Sequence, residues 1–168
     1  MFRKPFNAWL YGLACLLLAG CGGVSVSVLL FDEFPHDDVR PIAFQNVLPA
    51  VDSAIGDRRL VVVRDLVAWD GLWRAHTIGL VPLPTLPPIN FAQQMVIGVF
   101  SGVRNNPCID IEIRSVWHHT RPERIEVNYR EVPRPPDVNG QCTSGMRNPA
   151  ALIVLTYSHL PVEFFPVS

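Results

Sequence analysis

The sequence predicts an α+β fold, built mainly of antiparallel β-sheet with one early amphipathic helix. Three observations predict it: one segment has helical apolar spacing, several short segments alternate apolar and polar residues, and 16 prolines are spread over 168 residues. Prolines at this density disfavour long helices. With 49% apolar and 17% charged residues, the chain is not disordered along its length. A net charge of −1 provides no basic face for nucleic acid.

Residues 1–20 have the features of a secretory signal. Arg3 and Lys4 precede the apolar run Ala8–Leu18, which is shorter than the ~20 residues of a membrane-spanning helix. The box Leu18-Ala19-Gly20-Cys21 then resembles the lipobox of bacterial lipoprotein precursors. That resemblance implies cleavage before Cys21 and acylation of its thiol and amine, palmitate included. The alternative is an ordinary signal peptide followed by a chance cysteine.

The residues after Cys21 bear on the location of the mature protein. Gly22 and Gly23 stand where lipoproteins kept at the inner membrane typically have aspartate. The resemblance therefore implies the outer membrane, with the domain on the periplasmic or surface side. Without residues 1–20, twelve arginines and fifteen carboxylates remain, so the sequence predicts no basic membrane patch. Lipid at Cys21 is the expected membrane contact.

The first half of the mature chain contains two predicted strands and the helix. Val24–Val28 alternates at period two, as a half-buried strand does, and residues 32–59 carry turn signals. Leu60–Val63 is continuous and β-branched, which predicts a buried strand. Asp65 can cap a helix. The predicted apolar face of that helix, with both tryptophans in the core, is Leu66, Trp69, Leu72, Trp73 and His76.

The second half predicts sheet. Residues 77–90 form a proline-rich connection, either a covering loop or a ligand for a partner's groove. Met95–Phe100 reads as a second buried strand. Residues 109–114 and 125–130 alternate with one wet face, and the short turn Arg121–Glu123 predicts that they form a hairpin. After a loop over residues 133–149, Leu152–Tyr157 is expected to close the sheet.

The four cysteines divide into roles. Cys15 leaves with the signal and Cys21 carries lipid, so Cys108 and Cys142 remain in an oxidising compartment, both in turn-like surroundings. We expect a disulfide between them, which restricts the unfolded chain by roughly 3–4 kcal/mol. Two free thiols are the alternative. A metal site is disfavoured because neither cysteine has a second cysteine or a histidine two to four residues away.

About 100 residues, Leu60–Thr77 and Asn90–Pro161, resemble the C-terminal domain of the PrcB protease-complex subunits. The residues that carry the resemblance are Val61–Val63, Trp69, Leu72-Trp73, Ile89-Asn90-Phe91, Met95–Phe100, the two hairpin strands and Leu152–Tyr157. It implies one periplasm-facing domain over residues 21–168, with its core at 60–161, in a non-catalytic lipoprotein that accompanies an exported protease. Residues 102–108 depart from the glycine-rich, tyrosine-bearing turn of the family. The cysteine pair is expected to hold that corner instead.

No catalytic residue, metal ligand or cofactor is predicted. His118 and His119 are adjacent on a predicted strand and therefore point to opposite faces. A shared metal would need a further ligand from His76, His159 or a carboxylate, with no motif spacing to support it. Ser101 lacks a nucleophile elbow, Asp37-Asp38 lies in a loop, and no phosphate-binding glycine loop occurs.

Two functional hypotheses remain. The first is a membrane-anchored, non-catalytic binding or assembly module with a protein partner, which the PrcB resemblance implies to be a protease subunit. The second is a small periplasmic enzyme with a histidine and carboxylate site. The second predicts a cleft in which at least two histidines converge, from the set His76, His118, His119 and His159.

Overall fold

The computed structural model describes residues 37–48, 52–106, 108–134, 142 and 147–168. The predicted signal, the predicted lipid at Cys21 and the predicted strand Val24–Val28 lie outside these residues. The strands are β1 (Arg40–Pro41), β2 (Phe44–Asn46), β3 (Arg58–Val63), β4 (Gln94–Ser101), β5 (Ile109–Thr120), β6 (Glu123–Pro133), β7 (Ala150–Thr156) and β8 (Val162–Pro166). The helix α1, Leu66–Thr77, follows β3.

The strands form two four-stranded sheets. Sheet A has the order β1-β5-β6-β8 and sheet B the order β2-β7-β4-β3. All neighbours are antiparallel except β6 and β8, which are parallel. The predicted α+β class, mainly of antiparallel sheet with one early helix, is confirmed. The expectation of a single sheet closed by Leu152–Tyr157 is wrong, because β7 lies inside sheet B and β8 follows it.

A seven-residue segment, Arg40–Asn46, joins the two sheets. Its first part, β1, pairs with the end of β5 in sheet A. Its last part, β2, pairs with β7 in sheet B. Between them the amide of Ile42 donates to the carbonyl of Val116 at 2.8 Å. One continuous stretch of backbone therefore belongs to both sheets and closes one side of the sandwich.

Strand β4 is buried on both faces because it lies between two layers. Met95, Ile97 and Val99 point toward sheet A, where they pack against the inward side chains of β5 and β6. Val96 and Phe100 point to the other side and pack against α1. The molecule is therefore layered as helix, sheet B, sheet A. This confirms the buried strand predicted from the unbroken apolar run Met95–Phe100.

Glycine is required at the centre of β4 by the closeness of its neighbours. A Cβ at Gly98 would lie 2.7 Å from the Leu152 side chain and 2.8 Å from that of Val61. Both neighbours belong to the flanking strands β7 and β3. A side chain at this position would therefore have to displace side chains of both flanking strands.

Helix α1 begins as predicted. The Asp65 carboxylate accepts a hydrogen bond from the amide of Ala68 at 2.8 Å, which caps the first turn. Trp69, Trp73 and His76 are buried against sheet B, as the spacing predicts. Leu66 is 59% exposed, so its assignment to the buried face is wrong. It is the first residue of the helix.

The strand prediction Leu60–Val63 is confirmed in place but not in burial. Among the described strands β3 lies at the edge of sheet B beside β4, and Leu60 remains 40% exposed. The hairpin is confirmed, since β5 and β6 pair through the turn at Arg121-Pro122. The short strands β1 and β2 and the parallel edge strand β8 were not predicted.

Candidate functional site

The predicted disulfide joins Cys108, just before β5, to Cys142 in the loop before β7. Their Cα atoms are 5.3 Å apart, within the range that a disulfide requires. The carbonyl of Cys108 accepts a hydrogen bond from the amide of Arg134 at 2.8 Å, which ties the start of β5 to the end of β6. The pairing is confirmed, and it fastens Cys142 to the start of β5.

The His119 side chain lies between two carboxylates on the outer face of sheet A. Its Nδ1 lies 2.6 Å from a carboxylate oxygen of Asp37, and its Nε2 lies 3.1 Å from a carboxylate oxygen of Glu126. The second approach lacks the angle of a hydrogen bond. The ring is 11% exposed. Both nitrogens therefore face carboxylates, on opposite sides of the ring.

Asp37 anchors the chain before β1 to the hairpin. Its carboxylate hydrogen-bonds the His119 side chain and accepts from the amides of Arg121 and Thr120 at 3.1 and 2.9 Å. The His119 hydrogen bond, followed by the two amides, lowers the pKa of Asp37 to about 2. The carboxylate therefore stays charged well below neutral pH. It acts here as a clamp across 82 residues of sequence.

A hydrogen-bonded chain continues from Glu126 along the same face. Glu126 accepts from the Asn128 side-chain amide at 2.8 Å, and that amide also reaches the Ser115 hydroxyl at 3.3 Å. The Trp117 indole donates to the same hydroxyl at 3.0 Å. These side chains thus form a hydrogen-bonded network that links β5 to β6 on the outer face of sheet A. Sequence reasoning missed it because its members come from separate strands.

The four candidate histidines lie in different surroundings. His118 is on the opposite face of β5 from His119, as predicted, and lines a 410 Å³ cavity with Arg40 and Tyr157. His159 hydrogen-bonds Tyr157 at the surface. His76 packs between Trp73 and Phe100 under α1, where burial lowers the pKa of its imidazole. The structure does not bring them together in one cleft.

Ser101 and Asp38, the other residues considered for chemistry, make contacts within the fold. The Ser101 hydroxyl is buried, 3.0 Å from the carbonyl of Pro149 and 3.2 Å from that of Gly102. Asp38, the neighbour of Asp37, pairs with Arg40. Within the described part of the chain, no three histidine, cysteine or acidic side chains are arranged to hold a metal.

The proline-rich connection folds back along α1. The Trp69 indole donates to the carbonyl of Pro87 at 3.0 Å, and the Trp73 indole to that of Pro84 at 3.2 Å. The segment therefore covers the tryptophans, as the covering-loop interpretation predicts. Since both donors lie on one helix four residues apart, the connection is fixed at two points.

The first part of this connection, directly after α1, exposes three large apolar side chains, which we call the apolar tip. They are Ile78, 71% exposed, Val81, 96% exposed, and Leu83, 61% exposed. Gly79 allows the turn with a φ of 87°. The amide of Leu80 donates to the carbonyl of Thr77 at 3.1 Å. The apolar tip has a defined conformation, because the end of α1 precedes it and the hydrogen bond from Trp73 to Pro84 follows it.

Among the described residues, no helix is long and apolar enough to cross a membrane. Comparison of the chain with protein-family models, with curated proteins and with solved structures gave no match.

Proposed function

We propose that this protein is a membrane-anchored bacterial lipoprotein that acts as a non-catalytic binding or assembly module. The observation that carries the proposal is the apolar tip, where three large apolar side chains project from a turn fixed by hydrogen bonds. Exposed apolar groups held in a fixed geometry are typical of binding surfaces. The lipobox resemblance at Cys21 supports the anchor. The PrcB resemblance supports an accessory role in an exported protease complex.

The partner at the apolar tip is a protein rather than the lipid surface itself. Residues 77–90 contain no charged side chain. A segment that lies in the headgroup layer typically carries lysine or arginine beside its apolar residues. The mature chain also has more carboxylates than arginines, which opposes adsorption to anionic lipid. An apolar surface on a protein partner fits the tip better, with the lipid on Cys21 as the separate membrane contact.

An enzyme with a histidine and carboxylate site is the competing function, and His119 is its best candidate. A general base needs a ring nitrogen that can reach the substrate proton. Asp37 holds Nδ1 at 2.6 Å, and Glu126 faces Nε2 at 3.1 Å. This arrangement supports a structural role for His119 in fastening the chain before β1 to the hairpin.

The proposal is tested by photo-crosslinking in the native membrane. A photoreactive amino acid replaces Val81 in the full lipidated chain, and a matched probe replaces Val103, a 47% exposed valine in the loop after β4. We expect a crosslink from position 81 to one exported protein and none from position 103. Leu83→Asp is expected to abolish co-purification of that protein.

Crosslinks to lipid alone, or capture unchanged by Leu83→Asp, would overturn the assignment of the tip. A captured partner that belongs to no protease complex would overturn the protease role.

The anchor has its own test. We expect Cys21→Ser to abolish incorporation of labelled palmitate and to release the domain from the membrane fraction, because two or three acyl chains supply the membrane affinity. Cys142→Ser is the matched cysteine control and is expected to keep the label. Wild-type labelling of the Cys21→Ser chain would refute lipidation at this residue.

A further inference from the structure

A second cavity lies where the start of β3 approaches the end of β8. Its volume is about 470 Å³, and its lining includes Arg58, Arg104, Tyr129 and Ile111. The volume lies in the range of small-molecule sites. The last strand borders it, since the amide of Val167 donates to the carbonyl of Tyr129 at 2.8 Å. We call it the arginine cavity.

Arg58 is the central cation of this cavity. Its Nη2 donates to the Tyr129 hydroxyl at 2.6 Å, and Tyr129 itself is 6% exposed. Within the described residues Arg58 forms no ion pair, whereas its neighbour Arg59 is paired with Asp57 at 3.0 Å. A buried tyrosine therefore orients a guanidinium whose charge has no carboxylate partner.

The other two arginines of the lining are already paired. Arg104 Nη2 pairs with Glu131 at 2.6 Å. Arg130 pairs with Glu112 at 2.6 Å. Arg58 is therefore the guanidinium of the cavity that remains to meet a ligand.

We propose that the arginine cavity binds an organic carboxylate carried on an apolar group. Guanidinium groups bind carboxylate and phosphate oxygens alike. A monoanion matches the one unpaired charge, whereas a phosphate dianion would leave excess negative charge beside Glu131. Ile111, 8% exposed, and Val99, 1% exposed, make part of the wall apolar. Such a ligand is either the C-terminus of a peptide or a small organic acid.

The test is calorimetric titration of the full mature chain in detergent with inorganic phosphate and with four organic probes. Two carry a carboxylate: hexanoate, and the peptide acetyl-Ala-Val-Leu with a free C-terminus. Two are their uncharged counterparts, hexanamide and the amidated peptide. We expect saturable binding of at least one carboxylate and none of its amide. Tighter binding of the peptide identifies a C-terminus as the ligand, and tighter binding of hexanoate identifies an organic acid.

The arginines supply the matched variants. Arg58→Gln should weaken carboxylate binding roughly 10- to 100-fold, the effect of losing a charged hydrogen bond. Arg59→Gln removes the same charge from the next residue on β3 and should leave the affinity unchanged. Thermal unfolding of each variant checks that it is folded.

Four results would overturn the proposal: no saturation by either carboxylate up to about 10 mM, equal binding of the amides, tighter binding of inorganic phosphate, or equal losses in the Arg58→Gln and Arg59→Gln chains.

Discussion

Truncating Trp73, on the helix surface nearest the proline-rich connection, should cost a large share of the stability of the domain. The side chain is 3% exposed, and its ring centroid lies 5.4 Å from that of Trp69 and 5.5 Å from that of His76. Its indole also fixes Pro84. Trp73→Ala therefore removes a buried ring and a hydrogen bond and leaves a cavity beneath the helix, at a cost of ~3–5 kcal/mol. Domains are stable by about 5–15 kcal/mol, so the variant should be severely weakened.

Thermal and urea unfolding, followed by circular dichroism, measure the effect. At about 3 °C per kcal/mol for a domain of this size, the melting temperature should fall by roughly 10–15 °C. Trp73→Phe keeps a ring but loses the donor to Pro84, and an intermediate loss of ~1–2 kcal/mol is expected. Leu66→Ala, on the same helix but 59% exposed, should change stability by no more than ~0.5 kcal/mol. A loss for Leu66→Ala as large as that for Trp73→Ala would refute the assignment of the buried face.

Three further outcomes concern the disulfide and two titrating groups. Reduction of the Cys108–Cys142 bond should lower the free energy of unfolding by roughly 3–4 kcal/mol, as measured by urea titration with and without dithiothreitol; the Cys108→Ser, Cys142→Ser chain should not respond to the reductant. Burial lowers the pKa of His76, so below its ordinary pKa of 6.5 the unfolded chain takes up a proton that the folded chain does not. As the pH is lowered below 6.5, the free energy of unfolding should therefore decrease by up to ~1.4 kcal/mol per pH unit. His76→Phe should remove this pH dependence, and an unchanged dependence would contradict the assignment. The pKa of Asp37 is lowered from 3.8 to about 2, so its contribution is complete above pH 3.8 and is lost as the pH falls through 2; Asp37→Asn should flatten the stability curve in that interval, and a curve identical to wild type would show that the clamp is not formed.

The elements predicted from sequence are those whose pattern is local. The apolar run Met95–Phe100 is continuous because layers cover both faces of β4. The hairpin residues alternate because the outer face of sheet A is polar. The helix is predicted by the capping residue Asp65 and by the four-residue spacing of its two tryptophans. In each case the surroundings of a residue repeat along the chain with the period of its own secondary structure.

The missed elements depend on partners far away in sequence. β1 has two residues and β2 has three, too few for a periodic pattern, and β1 contains a proline. β8 is a five-residue edge strand, and its parallel pairing with β6 has no local signal. Leu66 has the right spacing for the buried face, but it is 59% exposed in the structure. Tertiary position decides these cases.

The candidate surfaces were predictable to different degrees. The cysteine pair could be inferred from compartment and elimination, and the proline-rich segment could be recognised as a covering loop. The contact between Asp37 and His119 could not be predicted, because the two residues are 82 positions apart and the sequence shows Asp37 only as a carboxylate in a loop. The arginine cavity has the same origin, since Arg58 and Tyr129 are 71 residues apart.

The order of strands in sheet B also sets when the protein can fold. β7, residues Ala150–Thr156, lies between β2 and β4 in the sheet, although it is made long after both. A growing chain therefore cannot complete sheet B, or the segment Arg40–Asn46 that depends on it, until nearly all of the polypeptide is available. Such non-local pairing slows folding. For a chain that is exported as we propose, this delay keeps the polypeptide unfolded during synthesis, in the state that a narrow translocation channel accepts. If the chain is exported in this way, Cys108 and Cys142 meet and are oxidised only after translocation.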